Sequence, residues 1–193
     1  MISPRHEAKV NAIIFRTIFD DISVREAMIA TFSSQDDLGC FLRLHLISET
    51  YLEAFLAGAL NSKDLFSDEP VDKVKLQMNY ASKAQLAFKL GMPEGAYKGF
   101  MLMNKIRNHA AHHINNELLT SDFINNFKNF ANSIGKREPD EIKKHVAQRF
   151  NDDGSIAENY TYGSPDTPNR IKLMIILAAI FTWTGVEIGV LAP

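Results

Sequence analysis

The sequence predicts an all-α protein in which one domain, residues 1–193, forms an up-and-down helical bundle of about five main helices with short peripheral helices. Apolar residues recur with the helical period along most of the chain, and no segment alternates convincingly with the period of two that marks a strand. Gly91 followed by Pro93 is a strong signal for one helix ending and another beginning. The length of 193 residues suits one compact domain with its own core.

The first elements follow from these signals in chain order. One or two short helices are expected over residues 7–31. A long helix is expected from about Gln35 to Leu60, with Ser34 as its N-cap and acidic Asp36 and Asp37 in its first turn. Apolar residues surround this helix almost entirely, which predicts that it lies at the centre of the bundle.

Two further helices are predicted to form an antiparallel hairpin. The first runs from about Asp72 to Leu90 and ends at Gly91. The second begins with Pro93 at its first position and reaches about Asn115. Their connection is so short that the two helices must be neighbours.

The last third of the chain predicts two main helices separated by a less regular region. The first has Phe123, Phe127, Phe130 and Ile134 on one face, and a small helix begins at Pro139. Residues 151–168 are rich in Asn, Asp, Gly, Ser and Pro, which predicts an irregular loop that has room for a short hairpin. Thr167 and Pro168 are expected to cap and start the last helix. Its apolar centre, residues 173–186, is shorter than the roughly 20 residues that span a bilayer, so we expect a core helix and no membrane contact.

Composition and charge narrow the classes of function. The net charge is -2, so no strong positive field attracts nucleic acid. Direct duplex DNA binding is therefore not expected, no helix-turn-helix is evident, and RNA binding would need a local site. The single cysteine, Cys40, lies in an apolar helical run and cannot form an internal disulfide. Together with an N-terminus that lacks the layout of a signal peptide, it predicts a cytoplasmic protein.

The segment from Arg107 to His112, with the sequence Arg-Asn-His-Ala-Ala-His, is the most informative part of the chain. A helical wheel places Arg107 inside the apolar face of its helix. Asn104, Asn108 and His112 follow one another at intervals of four along the edge of that face. We therefore expect an inward-pointing arginine beside a row of Asn and His.

An arginine pointing inward needs a carboxylate partner, because it cannot lose its charge and its desolvation is costly. The long helix carries His45 and Glu49 on one stripe, with Glu53 at its margin. We therefore expect Arg107 to pair with Glu49, or with Glu53 as the second choice. Such a pair would by itself need no function beyond fixing the register of two helices.

This motif resembles that of the HEPN superfamily and, more closely, of the mannitol operon repressor family. The resemblance rests on residues 105–113, preceded by the helix end Ala-Phe-Lys-Leu-Gly-Met at residues 87–92. The end of the long helix at residues 51–56 is also similar, and the likeness extends from about Gln35 to Phe127. The resemblance implies a homodimer, since such sites commonly form where two protomers meet.

The resemblance implies two main alternative functions, and binding of a nucleotide or another small ligand in the same cleft is a third. The first is a transcriptional regulatory protein that acts through protein partners, in which Glu49, Glu53, His45 and Asn104 give binding or structural support. The second is a metal-independent ribonuclease with Arg107, Asn108 and His112 as catalytic residues. Histidine can exchange a proton near neutral pH and arginine can stabilise a phosphate, so the residue types suit that chemistry. Neither alternative requires a cofactor.

The same helix also offers a candidate metal site. His109, His112 and His113 lie close together on the wheel, but only His109 and His113 have a favourable spacing, and further ligands would have to come from elsewhere. A solvated histidine patch without metal is the preferred interpretation. For Trp183 the sequence leaves two alternatives open, the core and a dimer interface.

Overall fold

The computed structural model describes residues 9–110, 118–135, 137–138 and 140–192. Within these ranges the chain is mostly helical, as predicted, with one small sheet. The helices are α1 (Ala12–Phe19), α2 (Ile22–Ser33), α3 (Asp37–Ala59), α4 (Tyr80–Lys89), α5 (Glu94–Ala110), α6 (Ser121–Asn132) and α7 (Asn169–Glu187), and the strands are β1 (Val146–Phe150) and β2 (Ile156–Thr161).

Helix α3 is the central element, as its apolar sequence predicts. It contacts α1, α2, α4, α5 and α7, and more than half of its residues are buried. Its N-cap is Asp36 and not the predicted Ser34, because the Asp36 carboxylate accepts hydrogen bonds from the amides of Leu38 and Gly39. Cys40 is fully buried, and burial, reinforced by nearby Asp37, raises the pKa of its thiol to about 11. A thiol in this state is unreactive at neutral pH, which agrees with a purely structural cysteine.

The predicted helical hairpin is present, but its first helix is shorter than expected. Helix α4 begins at Tyr80, capped by the Asn79 side chain, and the predicted start at Asp72 is wrong. Val74 is 69% exposed and Leu76 is 44% exposed, so the apolar residues before Asn79 have no core to pack against. Burial of an apolar face is what normally stabilises a helix of this length.

The joint between α4 and α5 is built as its sequence predicts. Gly91 has a φ of +106°, a backbone conformation that only glycine adopts easily. Helix α5 then begins at Glu94, one residue after the predicted Pro93. The two helices contact each other, and Phe88 stacks on Tyr97 with ring centroids 4.5 Å apart. Gly95 lies so close to α6 that an added Cβ would sit 2.4 Å from the Phe130 carbonyl oxygen.

The sheet is the main departure from the predicted elements. The small helix expected at Pro139 is a 3-10 turn over Glu141–Lys144, and Pro139 itself lies outside the described residues. Strands β1 and β2 pair in antiparallel fashion around a turn at residues 151–155. Ala147 is the one buried residue of β1. The alternation of apolar and polar residues along this strand is therefore too weak to recognise in the sequence.

Helix α7 completes the core. Thr167 does not cap it, because its hydroxyl donates to the carbonyl of Thr161, and the helix has no side-chain cap. Among the described helices, α7 is long and apolar enough to cross a membrane by length and composition, yet 67% of that stretch is buried within the fold. Trp183 is 4% exposed and lies against His145 and Arg137, which places it in the core of this chain.

Candidate functional site

A cavity of about 610 Å³ opens where α3, α4 and α5 meet. It brings together five of the residues singled out by the sequence, although they come from two separate helices. Its lining consists of Leu42, His45, Leu46, Glu49, Asn79, Tyr80, Ala81, Asn104, Arg107 and Asn108. His112 belongs to residues 111–117, which lie outside the described part of the chain.

Arg107 lies at this cavity but is exposed, which corrects the expectation of an inward-pointing arginine. The last buried residue of α5 is Met103, one turn earlier. A helical wheel assumes that a helix packs along its whole length, whereas α5 buries its apolar face only over its first part. The guanidinium Nη1 of Arg107 donates a long hydrogen bond of 3.4 Å to Asn108 Oδ1.

The predicted ion pair between Arg107 and the carboxylates of α3 is also wrong. The cation that pairs with both carboxylates is Lys83 of α4, whose ammonium lies 2.7 Å from Glu49 Oε1 and 2.5 Å from Glu53 Oε1. Lys83 is 6% exposed and its ammonium also lies over the Phe66 ring, 5.2 Å from the centroid. Burial alone would lower the pKa of Lys83, but its hydrogen bonds to the two carboxylates outweigh that effect and raise the pKa. Lys83 therefore stays charged and holds α4 against α3.

His45 is the buried polar residue of the cavity wall. Its ring stacks on Tyr80 with centroids 4.2 Å apart, and its Nε2 has no hydrogen-bond partner within the described residues. Burial lowers the pKa of His45 to about 4; Glu49 opposes the shift and Arg107 adds to it. The imidazole is therefore neutral at physiological pH and can either donate or accept a hydrogen bond at the cavity.

Ser48 holds in place the Tyr80 ring that stacks on this imidazole. The Tyr80 hydroxyl lies 2.8 Å from the Ser48 hydroxyl oxygen, which in turn donates to the carbonyl of His45 at 2.6 Å. Burial raises the pKa of Tyr80, so the phenol remains protonated. Sequence reasoning missed Tyr80 because the expected helix ran unbroken from Asp72, which hid the helix start. The signal that was present is Asn79, a favourable N-cap residue directly before an apolar run.

The amides of the cavity complete its polar surface. Asn104 and Asn108 lie one turn apart on α5, as the spacing predicts, and both line the cavity with Asn79. Glu53 does not line it but belongs to a neighbouring hollow with Lys83 and Phe66. The cavity thus offers a guanidinium, a neutral imidazole and three amides, together with the Glu49 carboxylate, which Lys83 neutralises. The guanidinium and the amides suit an oxygen-rich group on a ligand or a partner.

No set of three or more side chains suited to hold a metal occurs among the residues that the structure describes. His112 and His113, two members of the weighed histidine cluster, lie outside those residues. His109 is exposed at the end of α5.

The fold and the site define a mostly helical protein with a polar cavity between a central helix and a helical hairpin. The chain matches no family model, no curated protein and no solved structure.

Proposed function

We propose that this chain is a regulatory protein of the mannitol operon repressor type, within the HEPN superfamily, that acts through a protein partner and does not read DNA directly. The motif at residues 105–113 and the net charge of -2 support this assignment. The observation that carries it is a row of exposed leucines on α3, beside the cavity.

The leucine row consists of Leu38, Leu42 and Leu46, which are 41%, 38% and 62% exposed. Their spacing of four places them on one face of α3, and Leu42 and Leu46 line the cavity together with Arg107. A contiguous apolar surface with a polar rim is typical of a protein-binding site. We expect the partner to present an apolar face with a carboxylate that reaches the exposed Arg107.

Photo-crosslinking in cells tests this function. A photo-reactive amino acid at Leu46 should capture one protein reproducibly, and the same group at Ile13, which is 79% exposed on α1, should not. The identified protein, once purified, should bind the full chain, and Arg107→Ala and Leu42→Ser should each weaken binding about tenfold. Capture of a second copy of the chain alone would indicate a homodimer interface and would contradict a separate partner.

The ribonuclease remains the second candidate, because no carboxylate lies within 4 Å of the exposed Arg107 guanidinium among the described residues. A free guanidinium in an open cavity is suited to bind phosphate. The test is cleavage of RNA by the purified protein in EDTA. Cleavage that is lost in Arg107→Ala and in His112→Ala but kept in Lys98→Ala would establish this candidate. Absence of cleavage by folded wild type would exclude it.

A further inference from the structure

A second polar cavity, of about 260 Å³, lies where α6, the 3-10 turn, the end of β2 and the start of α7 come together. Three lysines line it, Lys128, Lys143 and Lys172, and no Asp or Glu occurs among its described lining residues. The chain as a whole is slightly acidic, so this cluster of like charges is a local feature and not part of a generally basic surface.

Two of the three lysines have no counterion among the described residues. Lys143 forms an exposed ion pair of 2.9 Å with Asp140. Lys128 and Lys172 are half-buried, and neither makes a hydrogen bond or ion pair within the described part of the chain. Holding unpaired ammonium groups around one cavity is unfavourable unless an anion neutralises them.

Tyr162 adds a hydrogen-bond donor to this lysine cavity. The residue is 8% exposed, and its hydroxyl has no hydrogen-bond partner among the described residues. Burial raises the pKa of Tyr162, so the hydroxyl keeps its proton. The hydroxyl can therefore donate to a molecule bound in the cavity.

Two helices direct further donors to the same place. Ser121, Asn125 and Lys128 lie on one face of α6. Asn169 is the first residue of α7, whose N-terminus has no side-chain cap. The amides of Ile171 and Lys172 donate to the Pro168 carbonyl, whereas those of Asn169 and Arg170 have no acceptor among the described residues. The Asn169 side chain donates to the carbonyl of Leu119 at 2.7 Å, which fixes this helix start against the segment before α6. A helix N-terminus also favours a negative charge.

We propose that the lysine cavity binds a small phosphate-bearing molecule, with Lys128, Lys172 and Tyr162 donating to its phosphate oxygens. The donors are ammonium, hydroxyl and amide groups, which suit phosphate. The volume is slightly below that of cavities for drug-sized ligands, so it fits a compact phosphorylated group. This cavity shares no lining residue with the α3–α5 cavity, and the proposal does not depend on the proposed function.

Calorimetric titration of the full chain with pyrophosphate, at constant ionic strength, tests the proposal. Saturable binding is expected for wild type, and Lys128→Gln with Lys172→Gln should weaken it by about tenfold for each lysine removed. Tyr162→Phe, which removes a single oxygen atom, should weaken it by a smaller factor. The control Lys63→Gln with Lys89→Gln removes the same charge from exposed positions elsewhere and should bind as wild type does.

Three outcomes would overturn the proposal. One is the absence of saturable binding by folded wild type. Another is binding that the Lys128 and Lys172 changes leave unaltered, because the anion would then bind elsewhere. The third is tight binding of single-stranded RNA that needs these lysines and that pyrophosphate does not displace, which would assign the cavity to a nucleic-acid surface.

Discussion

Lys83 and Arg107 are both cationic residues of the helical hairpin that packs on α3, yet their environments are opposite. Lys83 is buried and holds two carboxylates within 2.7 Å. Arg107 is exposed, and its one polar contact with the described residues is a 3.4 Å hydrogen bond to its neighbour. A buried charge must be satisfied by the protein, so it stabilises the fold, whereas an exposed guanidinium without a carboxylate partner is available to bind another molecule.

The largest effect that this comparison predicts is a loss of stability when Lys83 is replaced. Lys83→Met keeps most of the side-chain volume but leaves Glu49 and Glu53 facing each other without a cation. We expect the free energy of unfolding to fall by about 3 kcal/mol. This value is at the lower end of the range for breaking a buried ion pair, because both carboxylates keep partial access to water. Urea unfolding followed by circular dichroism measures this change.

Lys98→Met is the matched control. The Lys98 ammonium also pairs with a glutamate, Glu94, at 2.8 Å, but its side chain is 50% exposed. Its removal should change the free energy of unfolding by no more than about 0.5 kcal/mol. Equal effects of the two substitutions would show that burial of Lys83 adds nothing to its ion pairs.

His45 predicts a pH dependence of stability. Its pKa in the folded chain is about 4, against an ordinary value of 6.5, so the unfolded chain takes up the proton first as the pH falls. The contribution of neutral His45 to stability is therefore complete above pH 6.5 and declines as the pH falls toward 4. When the pH is lowered from 7 to 4.5, the free energy of unfolding should fall by about 2 kcal/mol more in wild type than in His45→Gln. Parallel urea titrations at the two pH values check this, and identical losses in both proteins would show that His45 titrates normally.

Sequence reasoning predicted α3 well, because apolar residues surround it almost entirely. It also predicted the end of α4 correctly, because a glycine follows that helix, although not its start. It also selected His45, Glu49, Asn104, Arg107 and Asn108, which the structure places around one cavity. A helical wheel gives the direction of a side chain but not how far along its helix the packing extends. That information comes from the tertiary contacts.

The same limitation explains the wrong ion pair. Arg107 and Lys83 carry the same charge, and nothing local in the sequence shows which of them packs against the carboxylates of α3. Lys83 was missed because the predicted helix began at Asp72, so the start of α4 at Tyr80 and its position beside Glu49 and Glu53 were not evident. Strand β1 was missed for a similar reason, since its one buried residue leaves almost no pattern, whereas β2 lies within residues 151–168, where the sequence left room for a short hairpin.

Arg107→Ala should have the smallest effect on stability and a large effect on binding. The guanidinium is exposed, and its single hydrogen bond within the described part of the chain is long, so we expect the free energy of unfolding to change by less than about 0.5 kcal/mol. Binding to the crosslinked partner, or RNA cleavage under the second candidate, should fall at the same time. Arg107→Lys separates charge from shape, because lysine keeps the charge but cannot form the two parallel hydrogen bonds of a guanidinium with a carboxylate or phosphate. A loss of stability of about 2 kcal/mol or more in Arg107→Ala would contradict this comparison, because it would mean that Arg107 supports the fold as Lys83 does.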